Sequence, residues 1–75
     1  MKRFIDTSDI VLAATLKVNG YRLDKIDKQG SRGIFCFAEV DEELLLNYDL
    51  GKSLVEPVSF NNAIKALTTA ARRIS

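Results

Sequence analysis

Residues 6–23 read DTSDIVLAATLKVNGYRL, and the order of signals in this stretch sets the plan of the chain. Asp6-Thr7-Ser8-Asp9 supplies side-chain oxygens that can accept from the free amides of a helix start. Thr7 or Ser8 reads as the cap, with Asp9 in the first turn against the positive end of the helix dipole. Leu12 and Leu16 are four residues apart and Val11 and Val18 seven apart, with Ala13 and Ala14 between them. The apolar arc is therefore wide, and the helix is expected to be well buried. Its alanines allow close approach of a neighbour. Asn19-Gly20 is a stop, because glycine takes up the left-handed conformation that closes a helix. A helix that starts and stops this sharply, and runs at once into a strand, belongs to a folded domain.

Working outward, Arg3-Phe4-Ile5 reads as a short edge strand. Tyr21–Asp27 reads as a second strand, followed by the turn Lys28-Gln29-Gly30-Ser31. The third, Gly33–Val40, alternates Ile34, Cys36, Ala38 and Val40 with Phe35, Phe37 and Glu39. A plain two- or four-residue loop would set Leu23 opposite Cys36 and leave both phenylalanines on the other face. A three-residue loop with a bulge at Gly30 would place Tyr21 and Leu23 with Phe35 and Phe37. One residue of slip exchanges the faces completely. The bulged arrangement is favoured, since it gathers the large side chains where helices can cover them.

Asp41-Glu42-Glu43 begins a short helix containing Leu44, Leu45, Leu46 and Tyr48 and ending near Leu50-Gly51, with its acidic residues at the positive end. Ser53-Leu54-Val55 is a connector or a brief fourth strand. Pro57 suits a first helical position, where its missing amide costs nothing. From there Phe60, Ile64, Leu67, Ala71 and Ile74 recur at spacings of four, three, four and three, an amphipathic helix with Arg72 and Arg73 in its last turn. The order β-α-β-β-α-α is expected to give a two-layer α+β domain over residues 1–75. Its mostly antiparallel three-stranded sheet packs against helices.

Composition narrows the function classes. Seventy-five residues lie near the lower limit for a self-supporting core, and 47% hydrophobic residues are ordinary for a folded domain. Eleven basic and ten acidic residues leave a net charge of +1, without the basic excess of a sequence-independent DNA binder or the acidic excess of a DNA mimic. Cys36 is the single cysteine, so packing, not a disulfide, must hold the chain, and a reducing cytoplasm is the simplest compartment. Met1-Lys2-Arg3-Phe4-Ile5 opens like a signal sequence, but Asp6 and Asp9 interrupt it. No run of ~20 apolar residues could span a bilayer. A soluble protein with no membrane role is expected.

The pattern from Phe4 through Phe37, with DTSD, AATLKVNGY and a hairpin ending in IFCF, resembles a family of short bacterial and phage proteins classed as a domain of unknown function. The similarity continues through Asn47-Tyr48 and Val55-Glu56-Pro57 to Phe60-Asn61-Asn62-Ala63, covering nearly the whole chain. The resemblance implies a viral or prophage setting, hence the host cytoplasm. It brings no catalytic or binding residues with it.

Chemistry-bearing clusters are few. There is no histidine, which removes the commonest general base and metal ligand and every nucleophile–histidine arrangement. Cys36 lies between two phenylalanines and reads as a small buried hydrophobe. Asp6 and Asp9 with Asp41 or Glu42 could be imagined around a divalent cation. Helix capping explains them more simply, because a hard cation needs more oxygens at ordered spacing. Gly20, Gly30, Gly33 and Gly51 are isolated and form no phosphate-cradling loop.

The expected function is therefore non-enzymatic, with no catalytic residue, metal or cofactor: a protein-interaction or assembly module with an unidentified protein partner, a second copy of the chain included. For a shared interface the candidate is the stripe Phe60, Ile64, Leu67, Ala71 and Ile74, although packing of that stripe on its own domain is favoured. The alternative is binding of single-stranded nucleic acid through the 21–40 hairpin. Arg32-Gly33-Ile34-Phe35-Cys36-Phe37 echoes the strand motif of RNA-recognition domains, whose aromatics stack on bases. Phe35 and Phe37 would stack, Phe4 would be the aromatic of the neighbouring strand, and Arg22, Lys25, Lys28 and Arg32, with Lys2 and Arg3, would hold phosphates. The two readings demand opposite faces for the phenylalanine rings.

Overall fold

The alternation of bulky and small residues from Ile34 to Val40 decides how the sheet is built. The computed structural model describes residues 2–30 and 32–73. The elements run β1 (Lys2–Thr7), α1 (Ile10–Val18), β2 (Leu23–Gln29), β3 (Arg32–Asp41), α2 (Glu42–Asp49) and α3 (Pro57–Arg72). The fold is α+β. Its three strands lie in the order β1-β3-β2, both outer strands antiparallel to β3. β1 and β2 flank the same strand, so α1 carries the chain from one edge of the sheet to the other. The shortest extent of the molecule is 18 Å, enough for one sheet and one layer of helices roughly 10–12 Å across.

One cluster forms the core: Phe35, Phe37 and Val40 from β3, Ala13, Ala14 and Leu16 from α1, and Ala63 and Leu67 from α3. Phe37, Leu16, Leu67 and Val40 are the largest side chains wholly removed from water. Each contributes about 1.5–3 kcal/mol relative to exposure. The alanines on α1 and α3 let these helices lie close together. Ile5, Leu23 and Ile26 extend the cluster across the sheet, half-buried.

Strand register keeps these side chains on one face. Ile26 pairs with Phe35 and Leu23 with Phe37, yet Lys25 pairs with Cys36, so Asp24 is an extra residue on β2. On the other side Ile5 pairs with Phe37 and Arg3 with Val40, which leaves Ala38 and Glu39 of β3 opposite Phe4 alone. Each insertion is a β-bulge and reverses the in–out alternation beyond it. The phenylalanines lie on the helix-covered face, as favoured above, but by another route. Gln29 pairs directly with Arg32, and the bulge lies at Asp24 instead of Gly30. β2 accordingly begins at Leu23, leaving Tyr21 before the strand, half-buried against the core. The second bulge places Glu39 at φ 56°, a left-handed conformation that an L side chain resists.

The helix ends follow from their caps. Asp9, not Thr7 or Ser8, caps α1: its Oδ1 accepts from the amides of Val11 (2.9 Å) and Leu12 (3.3 Å). Thr7 Oγ1 accepts from the Asp9 amide at 3.0 Å and so positions the cap. At the other end the Gly20 amide donates to Lys17 and the Tyr21 amide to Leu16, with Gly20 at φ 88°. That pair of bonds is a Schellman closure. Gly51 closes α2 in the same way, through Gly51 to Tyr48 and Lys52 to Asn47. Asp41 caps α2, and Glu56 caps α3 immediately before Pro57. Residues 53–55 form the connector; they are not a fourth strand.

Replacing Glu39 by glycine is expected to raise stability. Removing about 1–2 kcal/mol of left-handed strain outweighs the roughly 0.5–1 kcal/mol of added unfolded-state entropy. Urea unfolding of Glu39→Gly measures it; a lower midpoint would contradict this account of the bulge.

Candidate functional site

The two phenylalanines on which the nucleic-acid reading depends are core residues. Phe35 is 4% exposed and Phe37 1%, packed among Ala13, Leu16 and Leu67. No base can reach them, so base stacking on these rings is excluded. Phe4, 76% exposed, lies opposite the bulge of β3, and its strand neighbour Ile5 turns to the core in its place. The three rings therefore do not form one platform. Of the basic residues assigned to the hairpin, Arg22, Lys25, Lys28 and Arg32 are all exposed. Lys25 is engaged with Asp27 at 3.4 Å, and that carboxylate raises its pKa. Lys28 and Arg32 together line a recess that Arg22 and Lys25 do not reach.

The stripe on α3 is likewise directed inward. Leu67 is wholly buried, and Phe60, Ile64 and Ala71 are half-buried against the same core. Ile74 lies outside the described residues. Through its described residues this stripe packs on its own domain.

Cys36 sits on the face of β3 opposite the phenylalanines, between its strand partners Asp6 and Lys25. Its Sγ lies 3.9 Å from Asp27 Oδ2. Burial, and then the carboxylates of Asp6 and Asp27, push the thiol up to about 11. A thiol in that state is a poor nucleophile near neutral pH. The carboxylates that might have gathered around a cation have other work: Asp9 and Asp41 cap helices, and Glu42 approaches Arg3 at 3.9 Å. Among the described residues no group of three or more potential ligands could hold a metal ion.

One polar tie was not foreseen from the sequence. The Tyr48 hydroxyl donates to Asp9 Oδ2 at 2.9 Å, so a single carboxylate caps α1 and anchors α2. Burial, followed by this bond, pushes the Tyr48 hydroxyl up to about 12. α2 itself has no fully buried residue. Leu44 and Leu45 pack on the core, while Leu46 and Leu50, one turn apart, are each 57% exposed. The helix and its cap carry Asp41, Glu42, Glu43 and Asp49 and no basic residue. Leu54, 93% exposed, follows in the connector, beside a small recess shared with Leu44, Asn47 and Lys52. The result is an apolar strip framed by carboxylates.

Comparison with protein-family models, curated proteins and solved structures found no match to this chain. Among the described residues, no helix is long and apolar enough to cross a membrane.

Phe35→Ala is expected to lose about 3–5 kcal/mol of stability, as truncation of a core ring does; a variant as stable as the parent would return the ring to the surface. The raised acids give a second expectation. Cys36 ionises at 9.0 ordinarily and about 11 in the fold, and Tyr48 at 10.0 and about 12. Each group's contribution is full below its ordinary value and is lost as pH rises through the folded value, because the unfolded chain releases the proton first. Urea midpoints should therefore fall between pH 9 and 11, less steeply in Cys36→Ala; parallel profiles would refute the assignment for Cys36.

Proposed function

We propose that this chain is a small non-enzymatic protein-interaction module that docks its partner on the outer face of α2. The carrying observation is the pair Leu46 and Leu50, both more than half exposed on a helix whose charged residues are all acidic. Neighbouring leucines left more than half exposed are what a docking strip presents to water. The surrounding carboxylates select the complement, a basic amphipathic segment that lays an apolar stripe on the leucines and its cations against Glu43 and Asp49.

The same charges argue against a symmetric homodimer through this face. A two-fold axis would set α2 against α2, bringing acidic side chains together, with Arg3 beside Glu42 offsetting only part of that charge. The absence of histidine from the sequence and the protonated state of the one thiol support a non-catalytic role.

A synthetic Lys/Leu amphipathic peptide titrated against the protein, followed by fluorescence anisotropy, tests the proposal. Saturable binding that weakens with salt is expected, with at least about a tenfold loss in the Leu46→Ser/Leu50→Ser variant. Unchanged affinity in that variant, or no binding by the parent, would sink the docking surface. Both leucines are exposed, so the fold should survive the substitutions.

A further inference from the structure

The two outer strands of the sheet differ at their free edges. An outer strand leaves a row of backbone amides and carbonyls unpaired, and folded proteins blunt such a row with bulges and charges. β2 is blunted: its extra residue, Asp24, lies within the strand, and Asp24, Lys25, Asp27 and Lys28 fill most of its length. β1 is not. The extra residue on that side belongs to β3, so β1 runs from Lys2 to Thr7 without interruption and pairs with β3 alone. Ile5 packs on the core, and alternation puts Lys2, Phe4 and Asp6 on the opposite face, the one that carries Cys36. The Phe4 ring is 76% exposed there, with exposed Lys2 and Asp6 on either side of it. Neither takes part in the ion pairs Arg3–Glu42 and Lys25–Asp27.

We propose that β1 pairs antiparallel with β1 of a second copy of this chain, joining two sheets into one around a two-fold axis at Phe4. The segment Lys2-Arg3-Phe4-Ile5-Asp6 is its own complement in that register. Lys2 lies opposite Asp6 of the second copy, Arg3 opposite Ile5 and Phe4 opposite Phe4, and the axis repeats each contact. The two rings meet as a cross-strand aromatic pair and leave water together. The flanking charges fix the register more than they add affinity. Other registers are poorer. An axis at Arg3 sets that cation against its own copy and Lys2 against Phe4, whereas an axis at Ile5 sets Phe4 against Asp6. A parallel pair would bring Lys2 to Lys2 and Asp6 to Asp6. Antiparallel pairing also satisfies the free backbone groups of the edge, which β-strand addition uses as its main source of affinity. The contact needs neither Leu46 nor Leu50, so it is distinct from the docking strip on α2. One strand and one ring from each copy make a small interface, hence a weak dimer that forms with rising concentration.

Sedimentation equilibrium of the full chain, from about 1 to about 1000 µM, tests this by the mass of the species present. A monomer–dimer equilibrium is expected, with a dissociation constant of roughly 10–100 µM. Phe4→Ser, altered at an exposed position with every charge kept, should dimerise at least about tenfold more weakly and retain the far-ultraviolet circular dichroism of the parent. Lys2→Glu and Asp6→Lys, each alone, set like charges opposite one another and should weaken the dimer to a similar degree. An equimolar mixture of those two variants should regain it, because each then supplies the charge that the other lacks. A monomer throughout the range overturns the proposal, as do assemblies larger than a dimer. So does a dimer indifferent to Phe4→Ser, or a mixture no stronger than its components. Loss of the dimer in Leu46→Ser/Leu50→Ser, with none in Phe4→Ser, would place the contact on α2 instead.

Discussion

Everything in this fold hangs on keeping Phe35, Phe37 and Val40 on the same side of the central strand. Regular alternation would do this for Phe35 and Phe37 but would turn Val40 outward. The extra residue at Ala38-Glu39 reverses the alternation and returns Val40 to the core, where it is wholly buried. Leu16 and Leu67 have a sheet surface to pack against only because of that arrangement. With so few large side chains enclosed, losing one would remove a substantial part of a small domain's stability. The left-handed backbone at Glu39 is the local strain that accompanies the extra buried side chain.

α2 is attached differently from the other helices. α1 and α3 each contribute fully buried residues, whereas α2 contributes none and is held by Leu44, Leu45 and the bond from Tyr48 to Asp9. Its remaining leucines face water. Asp9 is therefore a junction: one carboxylate organises the start of α1 and ties a distant helix to it. A helix anchored along one side presents its other side freely, which is the geometry a docking strip needs.

The net charge of +1 conceals two local clusters. Carboxylates gather on α2 and its cap, while Lys28, Arg32 and Arg72 meet between the hairpin and the end of α3. A summed charge averages the two regions away, although each creates its own local field.

Short-range chemistry was readable from the chain: the helix stop at Gly20, the proline start of α3, the amphipathic stripe around Leu67, and the α+β class with its element order. Each depends on residues within a turn or two of one another, and so is written in consecutive letters. The cap at Asp9 was misplaced by a residue or two because four successive side chains could all accept a hydrogen bond. The bulges at Asp24 and Glu39 were out of reach, since a strand's register depends on what its neighbours and the helices above must bury. The recess was half visible, as Lys28 and Arg32 stand out in the hairpin, but Arg72 and Thr68 lie about forty residues further on. Folding brings them there because α3 settles over Gly33 when its stripe seeks the core, a long-range packing outcome that no local pattern encodes.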